Sequence, residues 1–266
     1  MSATTALAQA LEPLRADPAA AAVLLDVDGT LAPIVRHADD AHVSETTRAL
    51  LIEIAKRYRL VGCVSGRRAT TARQIVAIGS IAYVGNHGGE LLHPGATRPE
   101  VDPELAAWTA RVRDFSARVY TSEYQQIRVR SEDKDTIAAF HWRGAPDEEL
   151  AARAVAEIAA LAQSEGFVTH WGRKVLEVRP PVAVDKGLGV RRLLAGETLQ
   201  AAVYVGDDST DVDAFSGLRS LAAEGSLGYA LCVAVASQET PAELAELADL
   251  TIAETSGVRR LLEALL

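Results

Sequence analysis

The 266-residue chain is poor in sulfur and in aromatic side chains, with two cysteines, one methionine and 5% Phe, Trp and Tyr. Cys63 and Cys232 stand far apart in apolar runs, so they form neither a zinc spacing nor a disulfide framework. A basic excess is also missing. The formal charge of −9 argues against a broad grip on nucleic-acid phosphates and predicts no nucleic-acid partner. No apolar run approaches the roughly 18 residues of a membrane-spanning helix, so no membrane partner is expected. The opening stretch, MSATTALAQALEPLRADPAA, lacks a basic n-region, a long apolar core and a cleavage site, and a cytoplasmic protein is expected. What is abundant is apolar residue: 48% hydrophobic against 24% charged, the balance of one large globular domain or two ordinary ones.

Several compact apolar runs end in sharp polar turns. Ala21–Leu25 precedes Asp26-Val27-Asp28-Gly29-Thr30, Leu60–Val64 precedes Ser65-Gly66-Arg67, and Ile81–Val84 precedes Gly85-Asn86-His87. Ala201–Val205 precedes Gly206-Asp207-Asp208, and Ala230–Val235 is a further strand candidate. Runs of this kind without polar alternation predict strands buried on both faces. An Ala/Leu-rich helix is expected before Asp17-Pro18, others after Ser44 and from Lys186, and part of another over Leu244–Leu250. Strand, turn and helix in repetition predict an α/β fold with a Rossmann-like parallel sheet, whose ligand sites lie at the C-terminal strand ends.

The stretch from about 101 to 180 reads differently. Strands are expected at Gln125–Val129, Thr136–Trp142, Val168–His170 and Val175–Val178, with a helix from Pro146 to about Ala162. All three tryptophans, Trp108, Trp142 and Trp171, fall here. This predicts a small α+β domain at 101–180, inserted between core segments 1–100 and 181–266. The last segment holds 6 basic and 13 acidic residues, a net of −7, and includes the run Asp207-Asp208-Ser209-Thr210-Asp211-Val212-Asp213.

Carboxylates placed just after buried strands must be solvated, hydrogen-bonded or metal-bound. Asp26 and Asp28 stand in one such turn, with Gly29 to let the chain bend and Thr30 to offer a hydroxyl and an N–H to an anion. Asp207 and Asp208 stand in another, with Asp211 close behind. Oxygen ligands without neighbouring His or Cys favour Mg²⁺ over zinc. Ser65 suits either an anion pocket or a helix cap, and Lys186 suits either a phosphate partner or a solvated surface. Gly187-Leu188-Gly189 lacks the last glycine of a dinucleotide fingerprint, and no phosphate-loop motif occurs.

In combination these motifs resemble those of the haloacid-dehalogenase-like hydrolases, with the insertion in the position of a C2-type cap. More narrowly the chain resembles the trehalose-6-phosphate phosphatases. The likeness runs through DVDGTLAPIV at 26–35, VSGR at 64–67, GNHGGEL at 85–91, EDK at 132–134, HWR at 141–143, KVLEVRPPVAVDKG at 174–187 and GDDSTDVDAF at 206–215. It implies Asp26 as nucleophile and Asp28 as acid and base. Mg²⁺ would be held by Asp26, Asp207 and the Asp28 backbone carbonyl, with Asp208 and Asp211 in support. Thr30, Ser65 and Lys186 would bind phosphate. Asn86, His87, Glu132, Lys134, Arg143, Arg173 and Glu177 would hold sugar hydroxyls, although Arg173 stands where relatives commonly carry Lys. The partner implied is a small sugar phosphate, and the expected state is a monomer, with a weak homodimer as the alternative. Another sugar phosphate as substrate, and a non-catalytic sugar-phosphate sensor, are the competing readings.

Overall fold

The computed structural model describes residues 3–35, 40–237 and 240–266. The first part of the chain forms α1 (Ala3–Ala10), α2 (Glu12–Ala16), β1 (Ala21–Leu25), α3 (Glu45–Arg57) and β2 (Leu60–Val64). It continues through α4 (Ala69–Val76), β3 (Ala82–Gly85), β4 (Glu90–Leu92) and β5 (Glu100–Val101). The inserted part comprises α5 (Pro103–Val119), α6 (Ser122–Gln126), β6 (Arg130–Asp133), β7 (Ala138–His141), α7 (Glu148–Ser164), β8 (Val168–Gly172) and β9 (Val175–Arg179). The remainder runs through α8 (Lys186–Leu194), β10 (Ala201–Gly206), α9 (Asp211–Ala223) and β11 (Tyr229–Ala236), then α10 (Ala242–Leu247), β12 (Leu250–Ala253) and α11 (Glu254–Leu265). Two compact units result, Met1–Glu100 with Val184–Leu266, and Val101–Ala183. Residues 181–183 therefore group with the insertion.

In the outer unit the strand order is β12-β11-β10-β1-β2-β3-β4-β5, parallel from β12 to β3. Each central strand separates two apolar layers, which is why it is apolar at every position. Ala21, Val23 and Leu25 pack with Leu51 and Ile54 of α3 and Leu261 and Leu262 of α11. Ala22 and Leu24 point the other way, into the layer of Val190 and Leu193 on α8 and Phe215 and Leu218 on α9. Full burial of each such aliphatic side chain contributes roughly 1.5–3 kcal/mol.

The sheet is mixed rather than wholly parallel, because β4 returns antiparallel to β3. A parallel return needs a long crossover, and here only the turn at 86–89 intervenes, with Asn86 and His87 both at positive φ (47° and 54°). The expected strand at Gln125–Val129 is also corrected. Residues 122–126 form the one-turn helix α6, Arg128 turns at φ 63°, and β6 begins only at Arg130. Ile127 and Val129 pack into the insertion's apolar cluster instead of alternating along a strand. Leu250 opens β12 and is not helical. Just before it, Asp249 is tied to Cys232 of β11 through both backbone N–H and carboxylate.

The inserted unit carries an antiparallel sheet in the order β6-β7-β9-β8. Phe140, Leu176 and Val178 pack with Val112 and Phe115 of α5 and Val155 and Ile158 of α7. The alternation of strand side chains turns Glu132, His141 and Glu177 to the opposite face. No described helix is long and apolar enough to cross a membrane.

Candidate active site

From β1 the outer sheet extends through β2 and β3 on one side and through β10, β11 and β12 on the other. The crevice beyond the C-terminal ends of β1 and β10 is the place where such a fold receives ligands. Leu25 pairs with Val205, and Asp26 donates its backbone N–H to the Val205 carbonyl at 2.9 Å. The turns after the two strands are thereby brought together. Oxygens of Asp26, Asp207 and Asp211 lie within 4.8 Å of one another, and all three residues are buried. Gly29 makes this approach possible. Its φ is +92°, and a Cβ there would stand 2.1 Å from Asp207 Oδ2.

Lys186 enters from the start of α8, whose N-cap Asp185 accepts from Leu188 N–H at 2.7 Å. The helix lies so close to α9 that a Cβ on Gly187 would meet the Asp213 carbonyl oxygen at 2.3 Å. The buried ammonium donates to Asp26 Oδ1 and to Asp211 Oδ1, both at 2.7 Å, and lies 3.7 Å from Asp208 Oδ1. Asp211 also accepts from the Tyr204 hydroxyl (2.7 Å), Asp207 N–H (2.8 Å) and Asp208 N–H (3.0 Å). These donors occupy the four lone-pair directions of its carboxylate. Asp211 thus braces the cluster, and Asp26 and Asp207 are the carboxylates that could hold a cation. The Thr30 hydroxyl is turned to Asp207 Oδ1 at 3.2 Å.

The electrostatics agree with that division. Burial pushes the Asp26 carboxyl well up, with Asp211 and Asp207 adding to the effect against the pull of Lys186. Burial, then Asp211 and Asp208, raises Asp207 to about 7. Burial works to lower Lys186, but Asp211 and Asp26 outweigh it and hold the group charged. Burial would also raise Asp208, yet Lys186 and the N–H and hydroxyl of Thr210 keep it at about 2. Four carboxylates thus share one ammonium. A hard divalent cation with oxygen ligands fits both the donor set and the missing positive charge.

Asp28 is only partly buried, and its two oxygens accept from Arg67, Oδ2 from Nε at 2.7 Å and Oδ1 from Nη2 at 2.6 Å. Ser65 is buried; its N–H donates to the Val84 carbonyl and its hydroxyl oxygen accepts from Arg67 N–H at 3.1 Å. Asn86 is wholly enclosed, with its amide nitrogen donating to Glu90 Oε1 at 2.9 Å. Buried Glu90 in turn accepts from Ala69 N–H at 2.7 Å through Oε2, fixing the start of α4. His87 is half-buried.

In the inserted unit, buried Lys134 donates to Glu177 at 2.7 Å, and Arg179 donates to the same carboxylate, from Nε at 3.0 Å. Glu132 meets His141 Nε2 at 2.8 Å. Arg143 donates to the backbone carbonyl of exposed Arg173 at 3.2 Å. The structure therefore groups Glu132, Lys134 and Glu177 on one sheet and puts Arg143 beside Arg173. Sequence reasoning gave no role to Arg67, Tyr204 or Glu90. A signal existed for each: Arg67 shares its loop with Ser65, Tyr204 is a phenol inside a buried run, and Glu90 is the acid of the glycine-rich GNHGGE stretch.

The family model for trehalose-phosphatase matches residues 24–248. Among curated proteins, the chain is 32% identical over 236 residues to the trehalose-phosphate phosphatase of Mycobacterium marinum, covering 85% of this chain and 60% of that one. It is 31% identical over 208 residues to probable trehalose-phosphate phosphatase 4 of Oryza sativa subsp. japonica, covering 74% and 55%. The chain thus spans less than two thirds of the length of either relative. Among solved structures it resembles the C-terminal domain of the C. albicans trehalose-6-phosphate phosphatase, with a TM-score of 0.76 and 21% identity over 98% of this chain and 96% of that one. A trehalose-6-phosphate phosphatase related protein gives 0.73 and 22%, over 91% and 95%. A haloacid dehalogenase-like hydrolase from Bacteroides thetaiotaomicron shares the fold at 0.61. The strand order and the inserted α+β unit accord with these matches, and the chain belongs to the trehalose-phosphatase family.

Proposed function

We propose that the chain is a Mg²⁺-dependent phosphatase that hydrolyses trehalose 6-phosphate to trehalose and inorganic phosphate. The observation that carries this reading is the meeting of Asp26, Asp207 and Lys186 at the point where strand order reverses. Asp26 attacks phosphorus through a carboxylate oxygen, and the bond from phosphorus to the sugar oxygen breaks as the aspartyl phosphate forms. Asp28 gives that sugar oxygen its proton. Water then attacks the phosphorus of the intermediate, Asp28 takes a proton from it, and the bond to Asp26 breaks to release phosphate. The Ser65 hydroxyl, the Thr30 backbone N–H and the Lys186 ammonium are assigned to the phosphoryl oxygens, where they oppose the charge of the transition state. Asp26, Asp207 and the Asp28 carbonyl are assigned to Mg²⁺, which supplies Lewis-acid stabilisation of the phosphoryl group when bound. Asp208 and Asp211 hold this arrangement in place.

In the inserted unit, Glu132, Lys134, Arg143, Arg173 and Glu177 are assigned to the sugar. The enclosed Asn86 is left out, because its amide is committed to Glu90. Support for trehalose 6-phosphate comes from the names of relatives with about 30% identity. Two buried, unbridged thiols suit the reducing cytoplasm. Phosphate release should be measured over a panel of phosphorylated sugars, with Mg²⁺ and with a chelator. The expected result is metal-dependent release with trehalose 6-phosphate preferred. Release that ignores the chelator would overturn the metal assignment, and preference for another sugar phosphate would overturn the substrate alone.

A further inference from the structure

Arg67 has no part in the reaction as assigned so far, yet it grips the side chain on which both proton transfers depend. Its Nε and Nη2 lie 2.7 and 2.6 Å from the two oxygens of Asp28, a parallel pair of hydrogen bonds that fixes the plane of the carboxyl group as well as its position. The backbone that carries Arg67 is itself held. Its N–H donates to Ser65 Oγ at 3.1 Å, and its carbonyl accepts from Asn86 N–H at 2.7 Å. Next along the chain, Glu90 secures the Ala69 N–H and the Asn86 amide. Asp28, by contrast, stands in the turn after β1 with a side chain 35% exposed, where packing alone leaves it several rotamers. Holding a proton-transfer group within a fraction of an ångström of its working position is a large part of its value.

We infer that Arg67 is the positioning residue for Asp28, and that its planar fork sets the orientation from which Asp28 protonates the departing sugar oxygen. The inference rests on the proposed role of Asp28. It predicts a dependence on the leaving group, because an alkoxide needs the proton and an aryl oxide such as p-nitrophenolate departs without it. The quantity to compare is kcat/KM, which reports steps only through the first irreversible one.

Arg67→Ala and Asp28→Asn should each lower kcat/KM for trehalose 6-phosphate about 100-fold, and in each the loss on p-nitrophenyl phosphate should be at least about 20-fold smaller. The double variant should be no worse than Asp28→Asn alone, because both changes remove one function. Arg67→Lys keeps charge and length, which guards against a failure to fold, but lacks the fork. It should keep the aryl activity and recover only part of the sugar-phosphate activity. Equal losses of Arg67→Ala on both substrates, additive losses in the double variant, or full recovery by Lys would overturn the inference while Asp28 kept its role. Equal losses in Asp28→Asn would remove the acid assignment itself, and the inference with it.

Discussion

At the strand ends of the outer unit one ammonium, Lys186, faces the carboxylates of Asp26, Asp208 and Asp211, with Asp207 alongside. In the inserted unit the ratio is inverted: Lys134 and Arg179 both meet the single carboxylate of Glu177. The first cluster is short of positive charge and largely buried, so a divalent cation would suit it. The second has two cations to one carboxylate and calls for no added cation. On the proposed function, the outer unit acts on the phosphoryl group and the inserted unit is assigned to the sugar.

That contrast is broken most directly at Asp26. Asp26→Asn should reduce phosphate release by roughly 10⁴-fold or more on sugar and aryl phosphates alike, because the amide is a poor nucleophile. Near-normal turnover of either substrate would refute covalent attack. Lys186→Met leaves Asp26 and Asp211 buried without their cation, and should cost about 3–5 kcal/mol in urea unfolding of chelator-treated protein. A loss below about 1 kcal/mol would show that the ammonium is not the keystone of the cluster.

Metal should act next. At about 100 times its Kd, Mg²⁺ should add about 2.7 kcal/mol to stability. The pH dependence has a definite sign. In the metal-free fold Asp207 is raised to about 7. Its proton thus favours the fold at low pH, and this contribution is lost as pH climbs from the ordinary carboxylate range through about 7. The cation competes with that proton, so the Mg²⁺-induced rise in melting temperature should be larger near pH 8 than near pH 5.5. An equal rise at both would detach Asp207 from the metal. Tyr204→Phe removes one donor to the Asp211 carboxylate and should cost about 1.5 kcal/mol, read as a lower urea midpoint. Glu177→Gln should shift the preference for sugar phosphate over aryl phosphate about 10-fold, roughly 1.4 kcal/mol. Loss of aryl activity in that variant would erase the division between the two units.

Much of this arrangement was legible in the sequence. A strand buried on both faces must be apolar throughout, so Ala21–Leu25 and Ala201–Val205 stood out, and the acids after them could only be solvated, bonded or metal-bound. The Ser44 cap showed for a similar reason, since its side-chain oxygen accepts from Thr47 N–H. The turn at 86–89 was harder to read. Asn86 and His87 take a positive φ that is uncommon outside glycine, and this reverses β4 against β3. The α6 turn was missed because Gln125–Val129 contains the spacing of a short strand, while tertiary packing of Ile127 and Val129 governs its shape.

Local chemistry along the chain determined the buried strands, the polar turns that end them, the acidic character of those turns and the presence of an inserted α+β segment, because each depends on neighbours a few residues away. The tertiary structure decided which of those polar groups work on one another. Asp211 became a brace through four donors, all of them outside its own helix and one of them Lys186 at its distant place in the chain. Thr30 was turned to Asp207, Asn86 was enclosed against Glu90, and Arg67 was set on Asp28. Hydrogen bonds and charge pairs act over about 3 Å, and only the sheet order brings residues from opposite ends of the chain within that reach.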